Sequence, residues 1–133
     1  MALKGFMQSS PAVADGRVFV GTFDNMANGA LYAFNAHGCG KPACQPLWTF
    51  SHTGSGFYSS PAVANGVVFI GSLDNMLYAF NVTGCGSPPC SPLWVSPPTG
   101  DAVYSSPAVA GGVVYAGSLD HKLYAFHLHG TTP

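Results

Sequence analysis

The sequence predicts an all-β protein of antiparallel four-stranded propeller blades in tandem, about three of them, with the third incomplete. Three observations predict it. A unit of 46 residues recurs along the chain. Gly, Pro, Asn and Asp break each unit into short segments rich in Val, Tyr, Phe and Trp, which favour strands. Apolar residues show helical periodicity nowhere. Four short antiparallel strands per roughly 40–50 residues is the pattern of a propeller blade. A β-sandwich is the alternative, and near-identical tandem units argue against it.

The repeat is read directly. Ser59-Ser60-Pro61-Ala62-Val63-Ala64 returns as Ser105-Ser106-Pro107-Ala108-Val109-Ala110, and it occurs earlier as Ser9-Ser10-Pro11-Ala12-Val13-Ala14. Residues 59–84 and 105–130 are identical at 18 of 26 positions, which chance does not produce. The first unit carries four extra residues around Ala27 to Ala30.

Each segment has a place in the blade. Ser-Ser-Pro-Ala-Val-Ala is the first, and its small residues suit an inner strand crowded near an axis. Asn65-Gly66 or Gly111-Gly112 then supplies a two-residue turn of the kind that needs positive φ. Val67 to Ser72 is the second segment. Asp74-Asn75 follows in a turn, matched by Asp24-Asn25 and Asp120-His121. Leu77-Tyr78-Ala79-Phe80 is the third segment, with Tyr32 and Tyr124 at the positions of Tyr78. Pro92-Leu93-Trp94-Val95 is the fourth, matched by Pro46-Leu47-Trp48-Thr49. The rings of Tyr32, Tyr78, Tyr124, Trp48 and Trp94 are expected to fill the widening space between blades. The predicted blades are about 9–50, about 59–96 and a partial one at about 105–128, within a single array spanning 1–133. No Leu-Trp follows Phe126. The arc is therefore open unless other copies complete it.

Composition excludes several functions. Charged residues are 7% of the chain, and the net charge is −1. Four Lys and Arg in total cannot build the basic patch that nucleic-acid binding requires. Apolar runs such as Val67–Ile70 are far shorter than the ~18 residues of a membrane span. Residues 1–20 lack a basic start with an apolar stretch, so no signal peptide is visible; the chain reads either as cytosolic or as a mature or trimmed form.

The same stretches resemble the pyrroloquinoline-quinone-type propeller repeat: Ser-Ser-Pro-Ala-Val, Gly-Val-Val-Phe-Ile-Gly-Ser-Leu-Asp, Leu-Tyr-Ala-Phe, Leu-Trp and Thr-Gly. In that family such repeats build quinoprotein alcohol and glucose dehydrogenases. They also build cofactor-free proteins, among them the lipoprotein scaffold of outer-membrane assembly. The family's dehydrogenases stack adjacent cysteines on the quinone, and no two cysteines are adjacent here. They also hold calcium with Glu, Asn and Asp. Asp24, Asp74 and Asp120 fall one per blade, and a turn Asp ordinarily bonds its own backbone. No cofactor, metal or catalytic residue is therefore expected.

Cys39-x4-Cys44 and Cys85-x4-Cys90 occupy equivalent loops with Gly and Pro inside. A local disulfide in each suits the ~4.4–6.8 Å Cα separation a bridge needs. A four-cysteine zinc site and free thiols are the rivals. Disulfides imply an oxidising compartment, extracellular or periplasmic. Asn81-Val82-Thr83 is a glycosylation sequon at Asn81. His127-x-His129 is the one close histidine pair, and a strand would place both on one face.

These observations lead to a non-enzymatic structural or protein-interaction module that associates edge to edge with copies of itself, as ring or filament, or with other proteins. A fragment of a quinoprotein dehydrogenase is one alternative. A carbohydrate-binding surface using Phe57, Tyr58 and Tyr104 is another.

Overall fold

A computed structural model describes residues 6–24, 28–52, 54–85 and 90–128. Among these residues eleven strands form three antiparallel sheets. β1 (Ala12–Ala14), β2 (Arg17–Phe23), β3 (Gly29–Asn35) and β4 (Trp48–His52) make the first, in that order. β5 (Ala62–Ala64), β6 (Val67–Gly71), β7 (Leu77–Asn81) and β8 (Trp94–Val95) make the second. β9 (Ala108–Ala110), β10 (Val113–Gly117) and β11 (Leu123–His127) make the third, which has three strands among the described residues. None of the sheets closes on itself. The fold is an open propeller arc of two four-stranded blades and one three-stranded blade.

The turns explain the strands. Asp15-Gly16, Asn65-Gly66 and Gly111-Gly112 all have positive φ at both residues, between 50° and 78°. That is the mirror-image turn whose twist matches a β-hairpin. Each inner strand starts only after Pro11, Pro61 or Pro107, because proline offers no N–H to a ladder. β8 is short because Pro97 and Pro98 follow it, whereas β4 runs on to His52. The extra residues of the first unit lengthen β2 and β3 by two rungs, Thr22↔Ala30 and Phe23↔Gly29.

Blades pack face to face. The forward face of the first blade presents Phe19, Leu31 and Ala33, all 0% exposed. They meet Val68, Ile70, Tyr78 and Phe80 on the back of the second blade. The forward face of the second, Val67, Phe69, Leu77 and Ala79, meets Val114 and Ala116 of the third. The middle blade is thus apolar on both sides, and every residue of β6 is buried. Strict in–out alternation is therefore absent from that strand.

Backbone hydrogen bonds tie the seams at their inner ends. Phe57 N–H donates to Thr22 O at 3.0 Å, and Val103 N–H donates to Ser72 O at 3.0 Å. Nearer the inner strands, Ser10 N–H donates to Ser60 Oγ at 2.8 Å. Ser60 N–H repeats the bond to Ser106 Oγ at 3.2 Å. The second strand of each blade carries a glycine, and in the first two blades the next segment crosses it. A Cβ on Gly21 would lie 2.8 Å from Phe57 Cβ, and one on Gly71 would lie 2.4 Å from Val103 Cγ1. At Gly117 the nearest atom would be Ser105 Oγ at 3.3 Å.

These glycines provide an internal control. Gly71→Ala should destabilise the fold by ~1–3 kcal/mol, the usual cost of overpacking. Gly117→Ala should change stability by less than about 1 kcal/mol, because the nearest described atom is the Ser105 hydroxyl and not a crossing backbone. Urea unfolding of the two variants side by side measures the difference.

Candidate functional site

Most of the aromatic residues singled out in the sequence lie along the seams, and Tyr32 does not. Trp48 stands in the first, with ring centroids 6.0 Å from both Phe19 and Phe80. Its Nε1–H donates across the seam to Val82 O at 2.9 Å. Trp94 stands in the second, 5.8 Å from Phe126. Tyr78 stacks on Phe80, and Tyr124 stacks on Phe126 in the same way. Tyr32 is 9% exposed and lies near Phe34 on the back of the first blade.

Each turn aspartate bonds its own turn. Asp24 Oδ1 accepts from Asn28 N–H at 2.8 Å, Asp74 Oδ1 from Met76 N–H at 3.1 Å, and Asp120 Oδ1 from Lys122 N–H at 3.0 Å. The other oxygen of Asp74 accepts from the Tyr78 hydroxyl and lies 2.9 Å from His52 Nε2. Asp120 receives the Tyr124 hydroxyl likewise, with Gly100 N–H at 2.9 Å where the first seam has His52. Burial pushes the Asp74 carboxyl up, but hydrogen bonds from His52, Tyr78, Ser72 and Met76 outweigh it and hold the group below its usual range. Burial, then the bond to Asp74, pushes the Tyr78 hydroxyl well above the usual tyrosine range. The Tyr124 bond lowers Asp120. These groups are matched donors and acceptors that fasten the seam. Sequence reasoning missed the His52–Asp74–Tyr78 trio. The Asp-x3-Tyr spacing shared by Asp74–Tyr78 and Asp120–Tyr124 could have flagged the pair, but His52 has no counterpart in the other seam.

The cysteines pair locally. Cys39 bonds Cys44 and Cys85 bonds Cys90, with Cα separations of 5.8 and 5.3 Å. Each closes a six-residue loop, worth about 2 kcal/mol in the chain-entropy account. Residues 86–89 lie outside the described residues, as do Asn25 and the tail that holds His129. Asn81 is exposed, and its Oδ1 accepts from Thr83 N–H and Oγ1–H at 3.0 and 2.7 Å. The leading serines bond backbone, with Gly117 N–H donating to Ser105 Oγ at 2.7 Å and Gly21 N–H to Ser9 Oγ at 3.3 Å. Of the three aromatics considered for a sugar surface, Phe57 is 0% exposed and belongs to the first seam. Tyr58 lies against Phe23 at 3.9 Å and Tyr104 at 4.4 Å. Among the described residues no three His, Cys, Asp or Glu side chains gather as a metal site. No helix there is long and apolar enough to cross a membrane.

Two faces of the arc have no partner blade among the described residues. On the third blade, Tyr115 and Leu123 occupy the positions of Phe69 and Leu77, yet are 38% and 75% exposed. At the other end Val13, the counterpart of the partly buried Val63 and Val109, is 69% exposed. A cleft of about 160 Å³ lined by Thr22, Asp24, Tyr32 and Ser51, among others, opens at the first blade.

The arc is one form of a widely shared architecture. A computationally designed protein, Ika4, matches with a TM-score of 0.65 at 14% identity, covering 89% of this chain and 64% of its own. BamB from Moraxella catarrhalis matches with a TM-score of 0.66 at 16% identity, covering 96% and 35%. A quinohemoprotein alcohol dehydrogenase from Comamonas testosteroni matches with a TM-score of 0.64 at 16% identity, covering 94% and 20%. The chain thus spans less than two thirds of each. No family model matches the sequence, and no curated protein does. At these identities the likeness establishes the fold alone.

Two outcomes follow from the seams. Trp48→Ala and Trp94→Ala should each cost ~3–5 kcal/mol, as for a buried aromatic. Denaturant melts measure both. Asp74 has its carboxyl pKa depressed by folding, so its contribution is present above the unfolded value of ~3.9 and fades as pH falls through the folded one. The urea midpoint should drop in that acid range, and drop less in Asp74→Asn.

Proposed function

We propose that the chain is a non-enzymatic protein-interaction module whose copies continue the blade-on-blade packing of the arc. One observation carries this reading. The forward face of the third blade repeats the chemistry of a face that is fully buried one blade earlier. Leu77 is 0% exposed and Leu123 is 75% exposed, in the same strand position. Burying a leucine is worth ~1.5–3 kcal/mol, so covering Leu123, Tyr115 and Val113 together favours association. The half-buried Val18 and Phe34 on the first blade, beside the buried Val20 and Tyr32, match the residues that cover such a face inside the chain. The face at one end thus fits the face at the other, a head-to-tail contact that closes a ring or extends a filament.

The cysteines support a non-enzymatic reading over a dehydrogenase fragment. Each pair closes a local loop at a sequence separation of 5, and neither joins adjacent cysteines as the dehydrogenase site would need. The aspartates are on separate blades, each bonded within its own turn. The carbohydrate reading has less support, because Phe57 is buried and Tyr58 packs between Phe23 and Tyr104. The disulfides favour an extracellular or periplasmic setting.

Sedimentation velocity tests the association. Species at multiples of 13.7 kDa are expected at micromolar concentration, and Leu123→Arg should return them to the single-chain mass with unchanged circular dichroism. A folded wild-type monomer under those conditions would refute the proposal.

A further inference from the structure

We infer that the outer edge of β11 is a docking site for an extended Pro-Leu-Trp segment of another polypeptide. The two complete blades show what that edge takes. β4 and β8 enter through Pro46-Leu47-Trp48 and Pro92-Leu93-Trp94. Leu47 N–H donates to Ala33 O at 2.6 Å, and Leu93 N–H donates to Ala79 O at 2.7 Å. Ser96 N–H then donates to Leu77 O at 2.9 Å. Trp48 is paired with Ala33, and Trp94 with Ala79.

Leu123 and Ala125 stand where Leu77 and Ala79 stand in β7. Their rungs to β10 are Gly117↔Leu123 and Tyr115↔Ala125, in the same register as Gly71↔Leu77 and Phe69↔Ala79. In an antiparallel ladder a residue directs its N–H and C=O to the same side. Leu123 and Ala125 therefore turn both groups toward the side that β8 occupies on the second blade. β11 has β10 as its one neighbour among the described strands, and Leu123 and Ala125 are exposed.

Side chains set the chemistry of the occupant. Proline suits the entry, because no ladder N–H is needed there. Leucine supplies the N–H for Ala125 O. Tryptophan suits the rung at Ala125, whose methyl leaves room for an indole as Ala33 and Ala79 do. The indole would lie beside Tyr115, the counterpart of the Phe19 ring that contacts Trp48. Both Pro-Leu-Trp segments of this chain are already placed in β4 and β8, so a third such segment is the occupant. Recognition is by strand addition, with the ladder giving affinity and the indole giving selectivity. The site belongs to a single copy and does not depend on the association proposed above.

The test uses the full chain and a capped synthetic peptide, Ser-Pro-Leu-Trp-Val-Ser-Pro, copying residues 91–97. Native mass spectrometry counts peptides and copies of the chain separately, so failure of this inference and failure of self-association are distinguishable. One peptide per chain is expected, with slowed amide exchange at Leu123 and Ala125. Ala125→Pro removes an outward N–H without touching a bond to β10, and should weaken binding by about tenfold or more, the worth of one ladder bond plus a blocked edge. A peptide with Trp94→Ala should weaken by at least as much. Absence of a peptide-bound species at about millimolar peptide, the weak limit of useful affinity, would overturn the inference. So would equal binding by a scrambled peptide, or amide protection that leaves Leu123 and Ala125 unchanged.

Discussion

The arc depends on how closely the segment entering one blade approaches the second strand of the blade before it. Phe57 crosses Gly21 and Val103 crosses Gly71, each held by a backbone bond from the crossing residue's N–H. At those distances no side chain fits on the glycine. The approach sets the spacing of neighbouring sheets, and the spacing decides everything farther out. Phe19 and Leu31 reach Val68 and Ile70, Trp48 reaches the Val82 carbonyl, and Asp74 comes within reach of His52. The hydrophobic seam and its polar fastenings are consequences of one tight crossing, repeated.

The seam also explains an unusual composition. A blade between two others has no wet face, so β6 needs no polar residue and the chain needs few charges. Polar groups at the edge of the seam converge on shared acceptors. The Tyr78 hydroxyl and the His52 ring both serve the Asp74 carboxylate, and Gly100 N–H takes the place of His52 one blade later. A carboxylate so supplied with donors is a fastening at the seam's edge.

Much of this was legible in the residues. Asn65-Gly66, Gly111-Gly112 and the prolines mark where strands begin and turn, because their backbone constraints act locally. The Cys-x4-Cys spacing pointed to local bridges for the same reason. Which face of a strand meets which neighbour was not legible, since Phe69 and Val68 are both apolar and both buried. The four additional residues of the first unit read as an insertion near a turn, whereas they lengthen β2 and β3 by two rungs. Thr22 and Gly29 carry no signal that separates a longer ladder from a longer loop. The His52–Asp74 contact joins residues on two blades, and a single histidine without a repeat partner gives no pattern to read.

The serine bonds beside the inner strands carry a direction. Ser10 gives its N–H to the hydroxyl of Ser60, and Ser60 gives its own to Ser106, always forward along the chain. The row is vectorial, like a line of people each with a hand on the next shoulder. One end offers an amide and the other a hydroxyl oxygen. Two amide ends brought together would set donor against donor, whereas an amide end meeting a hydroxyl end continues the row. A polar row of this kind favours growth in a single sense and disfavours a mirror-like seam, so any larger body built on it inherits a head and a tail.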